Sequence, residues 1–340
     1  MTLSRRHRRE WRIIFWVILT SATISACFSY VVRAPETSAV GAVLTGVAIS
    51  LLIATPITLL ELQGDRFAFY RRLRRLPLAV YFGIKALFYV VVIIDGLFVG
   101  GLLFSPHLEI GQILRRSIGF SIAMAVFGNL IFIIGGLLGY STLKNLLTGR
   151  YVQPKREQRA FLLIDMKDST GLAERLGPIR FHELLNVFFR DISDAALECE
   201  GEIHKYVGDE AILTWYGEQA VADGDCLACP FIARDLIAAN GEQYRKRFGV
   251  VPGFRASLHF GEIVAGEIGD VRREIAYVGD TLNVAARLLE ASKTLGRDVL
   301  VSAELLGKAA LPPGVSAEPL PTLTVRGHSA PLGIAALERT

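Results

Sequence analysis

The apolar residues of this chain are concentrated in its N-terminal part, and this asymmetry limits the folds open to it. Hydrophobic residues make up 51% of the 340 positions, and the excess lies almost entirely before residue 141. Four apolar stretches there are long enough to cross a bilayer, which takes about 20 helical residues. They run approximately over residues 13–32, 39–60, 78–104 and 117–140. The sequence therefore predicts a four-helix transmembrane bundle over residues 1–140.

The positions of the basic residues predict how this bundle is oriented. The N-terminus, the loop after the second stretch and the segment after the fourth stretch are rich in arginine, whereas the other two loops hold only Arg33 and then Arg115 and Arg116. Basic residues are retained on the cytoplasmic side of a membrane. We therefore expect a multi-pass protein of the inner (plasma) membrane, with its N-terminus and its C-terminal domain in the cytoplasm and the lipid bilayer as a partner.

Two ionisable residues, Lys85 and Asp95, lie within the predicted spans. Such residues are costly at membrane depth and are therefore candidates for function. Lys85 is near enough to the basic loop for its ammonium to extend to the cytoplasmic headgroups, and this is the interpretation we adopt. Asp95 lies deeper, and a polar cavity, a partner helix and a sensed ligand all stay open for it. The signal that this domain senses is not specified by the sequence.

The rest of the chain alternates strands and helices. Residues 141–158 form a short basic connector, and residues 159–340 form the predicted cytoplasmic domain. The residue patterns predict, in order, a buried strand, a helix over 170–198, two strands joined by a tight turn at Gly208 and Asp209, a helix over 219–248, three more strands and a helix capped by Asp280. The order βαββαβ is that of the ferredoxin-like α+β arrangement, with extra strands at the C-terminus.

Two aspartates are placed where predicted strands end. Asp165 ends the first buried strand, and Asp209 lies at the tip of the predicted hairpin. Their carboxylates would be neighbours if the two strands are adjacent in an antiparallel sheet, although each alone also fits turn or capping chemistry. A carboxylate pair suits Mg²⁺ or Mn²⁺ ions that carry substrate phosphates. The chain then enters a helix whose N-terminus suits phosphate, at Lys167, Asp168, Ser169 and Thr170.

Four segments in order resemble the catalytic domain of the class III adenylyl/guanylyl cyclases. They are FLLIDMKDSTGLAERLG, KYVGDEAILTW, LHFGEIVAGEIG and YVGDTLNVAARL. The resemblance covers about residues 158–340. It implies a membrane-anchored cyclase whose catalytic domains pack head to tail in pairs, with both active sites at the interface. It also implies that Asp165 and Asp209 bind two metal ions, either Mg²⁺ or Mn²⁺.

The resemblance implies roles for four further residues. Lys205 would contact the purine, and Asn283 and Arg287 of the partner chain would orient the substrate and stabilise the transition state. Arg326 stands where the family usually has a phosphate-binding lysine, and it keeps the charge. Because one chain carries both half-sets, a homodimer with two equivalent sites is expected. The implied reaction converts ATP to 3′,5′-cyclic AMP and pyrophosphate.

Two positions depart from the family pattern. Ala276 stands where the family usually has the Asp or Thr that accepts a hydrogen bond from the adenine amino group. A methyl group cannot accept that bond, which can contribute ~1–3 kcal/mol when a buried group is left unpaired. Lys205 still fits adenine better than the glutamate typical of guanylyl cyclases, so we expect ATP as the substrate. Asp168 stands where the family often has glycine, and we interpret it as a capping residue turned away from the phosphates.

Other functions stay open beside this one. A guanylate or dual-specificity cyclase is possible because of Ala276, and a non-catalytic nucleotide-sensing receptor module would need no chemistry. The hairpin also looks like that of diguanylate cyclases, but Val207 replaces a glycine there and the YVGDTLNVAARL segment has no place in that family. The net charge of +4 indicates no general basic surface, so no nucleic-acid partner is expected.

Two smaller features have structural interpretations. Cys226 and Cys229 have metal-like spacing but no second pair, and three residues apart on a helix is the spacing of a core face. His204 alternates with Lys205 on a predicted strand, so it should point to the opposite face of the sheet.

Overall fold

The computed structural model describes residues 5–33, 38–64, 67–73, 76–104, 110–271, 273–323 and 331–339. The chain divides into two compact units, essentially His7–Leu143 and Lys144–Thr340. The first unit is helical, and the second contains a sheet with helices.

Long apolar helices make up most of the first unit. Among its described residues, four helices are long and apolar enough to cross a membrane, judged by length and composition. The helices of this unit, including the short α3 and the α6 that follows the last long helix, are α1 (Arg5–Val31), α2 (Ala39–Gln63), α3 (Ala68–Leu73), α4 (Leu78–Phe104), α5 (Ile110–Leu138) and α6 (Tyr140–Leu147). The four long helices overlap the four predicted spans, so we treat this unit as the membrane anchor.

The position of Lys85 contradicts the interpretation that its ammonium extends to the headgroups. Lys85 on α4 is only 2% exposed, and its Nζ lies 2.6 Å from Oε1 of Glu61 on α2. Tyr89 donates a second hydrogen bond to the same carboxylate. Glu61 lies one residue beyond the predicted second span, so its pairing with Lys85 could not be predicted from the apolar pattern. The ion pair therefore joins two helices inside the bundle. Asp95, in contrast, is exposed on the outside of the described helices.

Within the described residues, eight strands of the second unit form one mixed sheet. Their order is β2-β3-β1-β4-β6-β8-β7, and β5 pairs with β4. The strands are β1 (Lys155–Met166), β2 (Glu202–Val207), β3 (Glu210–Tyr216), β4 (Phe254–Ile268), β5 (Glu274–Val278), β6 (Val299–Ser302), β7 (Val315–Leu323) and β8 (Leu332–Arg339). β1 begins inside the predicted connector, because Lys155 already pairs with Ala265 of β4.

Helices cover both faces of the sheet. They are α7 (Ser169–Leu176), α8 (Pro178–Glu198), α9 (Gln219–Ala222), α10 (Asp225–Ala239), α11 (Gly241–Phe248), α12 (Asp280–Leu295) and α13 (Ala303–Leu306). The central strand β1 is buried on both sides. Its Leu162 and Ile164 pack in the cluster that includes α8 and α10, whereas Phe161 and Leu163 pack in the cluster with α12. Alternate residues of one strand therefore serve two cores, and the α+β ferredoxin-like arrangement is confirmed.

Four predicted element boundaries are wrong. The helix expected over 170–198 is two helices, α7 and α8, separated by Gly177. The helix expected over 219–248 is three helices, and the first break falls at Gly224, where φ is 79° and an added Cβ would meet the backbone of Ala310. The strands FRASLHF and EIVAGEI are one continuous strand, β4. Asp280 is not the N-cap of α12, because Gly279 holds that position. Local sequence patterns predict that these elements exist, but they do not show where two backbone segments pack closely, as at Gly224 and Ala310.

Candidate active site

The structure brings Asp165 and Asp209 together at one end of the sheet. β1 and β3 are antiparallel neighbours, and Asp165 lies opposite Glu210. Asp209 precedes Glu210 at the tip of the β2–β3 hairpin, where Gly208 has a φ of 63° that glycine adopts without strain. The side chain of Asp209 lies within hydrogen-bonding reach of Asp165. Three carboxylates therefore converge at this edge.

The surroundings of these carboxylates oppose their ionisation. Burial, and then the charge of Asp209, raise the pKa of Asp165, while Lys293 acts in the opposite direction. Burial together with Asp165 and Asp209 raises the pKa of Glu210 to about 7. Nζ of Lys293 on α12 lies 3.6 Å from Oδ2 of Asp165 and supplies the nearby positive charge.

This donor set fits a divalent cation. Oxygen ligands are what Mg²⁺ and Mn²⁺ prefer, and a bound cation would offset the repulsion that, after burial, raises the pKa of Asp165 and that of Glu210. Among the described residues, no three acidic, histidine or cysteine side chains form a complete metal cage. Asp165 and Asp209 would therefore leave coordination positions for phosphate and water, as is usual for magnesium sites that carry nucleotides.

The segment after β1 holds the four residues predicted to lie near phosphate. Lys167 is engaged twice, since its ammonium pairs with Asp298 and its backbone N–H donates to Gly253 at 2.9 Å. Ser169 and Thr170 are the first two residues of α7. A helix N-terminus leaves backbone N–H groups without an intrahelical partner. Ser169 and Thr170 are therefore better candidates for phosphate contact than Lys167, which already has two partners.

Asp168 occupies the N-cap position of α7, as the capping interpretation expects. Its side chain makes no capping hydrogen bond and instead pairs with Arg175, 3.1 Å from its Oδ2. Its φ of 54° lies in the left-handed region, which glycine enters at little cost. A backbone requirement thus explains why a glycine suits this position in related sequences, and Asp is among the other residues that tolerate it.

Lys205 and Ala276 lie on strands that face each other across the domain. The β2–β3 register shifts between Ile203 and Lys205, which forms a bulge. His204 and Lys205 therefore both reach β5: the His204 ring lies 4.4 Å from that of Tyr277, and Nζ of Lys205 lies 3.4 Å from Glu274. Tyr277 and Glu274 are three residues apart on β5 and lie on its opposite faces, so these contacts agree with the prediction that His204 and Lys205 point to opposite faces.

A buried charged cluster beside β5 was missed by the sequence reasoning. Arg159 is 2% exposed, its Nε donates to Glu157 at 2.9 Å, and its Nη2 donates to Oη of Tyr151 at 2.9 Å. Its guanidinium also lies 4.6 Å from the ring centre of Tyr277. Burial, and then Lys205 and Arg159, lower the pKa of His204 to about 4, so this imidazole is neutral at neutral pH. The sequence does show opposite charges two residues apart on β1, at Glu157 and Arg159, and this spacing places them on one face of the strand.

Asn283 and Arg287 lie on the exposed face of α12. The opposite face of this helix is buried through Val284 and Leu288. Nη1 of Arg287 lies 2.8 Å from Glu290 on the same helix. The α12 residue that contacts Asp165 is Lys293, which follows Arg287 by about 9 Å along the axis at 1.5 Å per residue. Among the described contacts, neither Asn283 nor Arg287 forms a hydrogen bond or ion pair with Asp165 or Asp209 of the same chain.

Two predicted features remain to be placed. Arg326 lies outside the described residues. Cys226 and Cys229 are buried in the core on α10 and are free thiols, which agrees with the interpretation of a core face. Burial raises the pKa of Cys226 to about 12, so it has no thiolate character at neutral pH.

No protein-family model matches the chain. Over 343 aligned positions the chain is 35% identical to Adenylate cyclase 2 of Rhizobium meliloti (strain 1021), and the match covers 96% of this chain and 92% of that protein. The chain belongs to the class III adenylyl/guanylyl cyclases. The match covers nearly the whole of this class III cyclase, so the aligned part includes the apolar helices of the first unit as well as the second unit.

Two further comparisons cover the cyclase in part. Adenylate cyclase 1 of Rhizobium meliloti (strain 1021) is 29% identical over 185 residues, which is 53% of this chain and 27% of that protein. A solved structure of a bacterial light-regulated adenylyl cyclase has a TM-score of 0.52 at 16% identity, over 65% of this chain and 64% of the other. The second likeness shows the fold alone. The chain is thus a cyclase enzyme of a family that generally uses divalent metal ions.

Proposed function

We propose that this cyclase is a membrane-anchored adenylate cyclase that converts ATP to 3′,5′-cyclic AMP and pyrophosphate as a homodimer. One observation carries the proposal: among the described contacts, neither Asn283 nor Arg287 meets Asp165 or Asp209 within one chain. A complete set of metal-binding and transition-state residues then requires a second copy of the chain. Under twofold symmetry each of the two interface sites would take one half-set from each chain.

The carboxylates would hold the metal and the nucleotide phosphates. Asp165 and Asp209 fit two Mg²⁺ or Mn²⁺ ions, which when bound lower the pKa of a hydroxyl such as the ribose 3′-OH and neutralise phosphate charge. Lys293 has to give up Asp165 for this to happen. Their pair is partly exposed, and such pairs contribute only about 0–1 kcal/mol, so the exchange costs little. Ser169 and Thr170 at the start of α7, and Arg326, would contact the phosphates.

The helix pair would act on the reacting phosphoryl group from the other chain. Arg287 carries a fixed positive charge that stabilises negative charge as it develops on the phosphoryl oxygens. Asn283, one turn earlier on α12, would hold the ribose in the orientation needed for in-line attack on the α-phosphorus. Arg287 must first leave Glu290, and an exposed pair three residues apart on a helix holds it only weakly.

Lys205 supports ATP as the substrate. Its ammonium can donate a hydrogen bond to a ring nitrogen of adenine, whereas guanine presents an N–H at the equivalent place. A guanylate or dual-specificity cyclase is the second candidate, and one observation favours it: Ala276 offers no acceptor for the adenine amino group. The two candidates differ in the base that they read and share the rest of the mechanism.

The orientation of the chain forms part of the proposal. Arginine-rich segments before the first apolar helix and after the second and fourth support a cytoplasmic N-terminus and a cytoplasmic catalytic domain. ATP is then available to the active site. Protease added outside intact spheroplasts should leave the catalytic domain uncut, and its digestion there would reverse the orientation.

The function can be tested on the full-length chain in membranes or detergent. With Mg²⁺ or Mn²⁺ and either ATP or GTP, we expect cyclic AMP to form faster than cyclic GMP. The variant Asp209→Asn should reduce cyclic AMP to background, whereas Asp223→Asn in the exposed turn before α10 should retain wild-type activity. If cyclic GMP formed faster than cyclic AMP, the substrate would be GTP and not ATP. If Asp209→Asn kept full activity, Asp209 would not be a metal ligand.

A further inference from the structure

The base-binding strand β5 carries a carboxylate close to the position where an acceptor is missing. Glu274 lies two residues before Ala276. Residues two apart on a strand share a face and lie about 7 Å apart. Ile275 and Tyr277 between and beyond them pack in the core with α12, so Glu274 and Ala276 share the face turned away from that core.

The carboxylate of Glu274 is paired with the lysine proposed to contact the purine. Nζ of Lys205 lies 3.4 Å from Oε2 of Glu274, although the two residues are 69 positions apart in the sequence. The side chains are 45% and 42% exposed. Ion pairs this exposed add little to stability. Stabilisation of the fold therefore does not account for a carboxylate at this place.

The position of Glu274 is fixed by its neighbours rather than by the ion pair. Tyr277 is held by three groups: the His204 ring at 4.4 Å, the Phe161 ring at 5.7 Å and the Arg159 guanidinium at 4.6 Å. The bulge at His204 directs Lys205 to the same strand. Two independent anchors thus set an ammonium beside a carboxylate, and both groups remain accessible to a ligand.

An ammonium beside a carboxylate matches one edge of adenine. Adenine presents its 6-amino group, a donor, next to its ring nitrogen N1, an acceptor. Guanine presents these in the reverse order, with O6 accepting and N1–H donating. A carboxylate that meets the 6-position and an ammonium that meets the 1-position therefore select adenine, and each mismatch would leave a polar group unpaired.

We propose that Glu274 is a specificity-determining residue that accepts a hydrogen bond from the adenine 6-amino group while Lys205 donates to N1. This role rests on the proposed adenylate cyclase function. Glu274 takes over the task that an acceptor at position 276 would perform, and its longer side chain spans part of the offset between the two positions. Ala276 then leaves room for the base instead of weakening its recognition.

A substrate that lacks the 6-amino group separates this role from simple positioning of Lys205. The full-length enzyme is assayed with ATP and with purine riboside triphosphate, for the wild type and for Glu274→Ala. We expect the wild type to prefer ATP by about tenfold in kcat/KM, the size of one lost hydrogen bond to a charged acceptor. Glu274→Ala should use the two substrates about equally. An equal fall for both substrates would overturn the proposal, because it would mean that Glu274 only holds Lys205.

Two further variants serve as rescue and control. Adding Ala276→Asp to Glu274→Ala restores an acceptor on the same face of β5, and the preference for ATP should return. Glu262→Ala removes another exposed, ion-paired glutamate, whose partner is Arg156 at 3.0 Å, and should leave the preference unchanged. Similar melting temperatures for all variants would exclude unfolding as the cause. Failure of the rescue, or a loss of preference in Glu262→Ala, would count against Glu274.

The failure of the inference and that of the proposed function look different. A wild-type enzyme that forms no cyclic AMP overturns the proposed function and the role of Glu274 together. A wild-type enzyme that forms cyclic AMP without preferring ATP to purine riboside triphosphate overturns the role of Glu274 alone. If Glu274→Ala lowers turnover of GTP more than that of ATP, the carboxylate reads guanine and the proposal is wrong.

Discussion

The two surfaces that carry the candidate catalytic residues differ in how their charges are held. At the strand edge, the Asp165 side chain is only 16% exposed and shares its surroundings with two more carboxylates. On α12, the Arg287 side chain is 54% exposed and meets one glutamate of its own helix. The strand edge is crowded with carboxylates and suits a bound cation. On α12, Arg287 is a weakly paired cation that is available to bind a phosphate group. The surfaces are complementary, but not within one chain.

The largest effect is expected from removing charge at the strand edge. Asp165→Asn should lower cyclic nucleotide formation by at least about 1,000-fold, since both the metal and the phosphates lose a ligand. The rate is measured across a Mn²⁺ titration. If high Mn²⁺ restored the activity of Asp165→Asn, Asp165 would contribute only to metal affinity and would not be essential for catalysis.

A mixing experiment tests whether the two surfaces meet between chains. Arg287→Ala should itself lose about 100- to 1,000-fold in kcat. Coexpression of equal amounts of Asp165→Asn and Arg287→Ala chains should restore about a quarter of wild-type activity, because half of the dimers are mixed and each has one complete site. Mixed dimers can be purified with two affinity tags. Purified mixed dimers without activity would show that the surfaces act within one chain.

Removing the resident partner of the strand edge should have a smaller effect. Lys293→Gln frees Asp165 from the only lysine described in contact with it. The Mn²⁺ concentration for half-maximal activity should then fall about threefold, since a partly exposed pair contributes less than about 1 kcal/mol. Lys246→Gln, on the exposed surface of α11, is the matched control. A rise in the half-maximal concentration would instead assign Lys293 to binding phosphate.

The corresponding change on α12 should have the smallest effect. Glu290→Gln releases Arg287 from its ion pair at 2.8 Å, and kcat/KM should rise about twofold because the arginine no longer has to break that pair. Glu242→Gln, which breaks the equally exposed pair with Lys246, should change nothing. A tenfold fall in Glu290→Gln would place Glu290 among the residues that orient Arg287 for the reaction.

The sequence predicted the parts of the site that depend on local patterns. A buried strand, a tight turn and an amphipathic helix were enough to place Asp165, Asp209 and the exposed pair of α12. The pairing of β1 with β3 was a condition of placing the two aspartates together, and it is the structure that shows it. The resemblance to class III cyclases supplied the expected roles, which no local pattern carries.

Contacts between distant segments could not be predicted in the same way. The Lys205–Glu274 pair depends on a bulge in β2, and one extra residue is invisible in the periodicity of a six-residue strand. Lys85 was assigned to the headgroups because its partner, Glu61, lies past the apparent end of an apolar stretch. Arg159 was counted with the basic residues that follow the fourth apolar stretch, yet Glu157 holds it inside the fold. For Lys85 and Arg159, pairing with a carboxylate allows a basic side chain to be buried.

The two ends of the strand order have irregular backbones. β2 closes one end with its bulge, and β7 closes the other with Pro319 and Pro321 and a shift in register before Leu323. Proline has no N–H to donate, and bulged strands offer a poor template for a further strand. Chains concentrated in a membrane are thereby kept from fusing edge to edge into extended sheets. We expect two catalytic domains to associate through side chains, a contact that can form and dissolve without unfolding either partner.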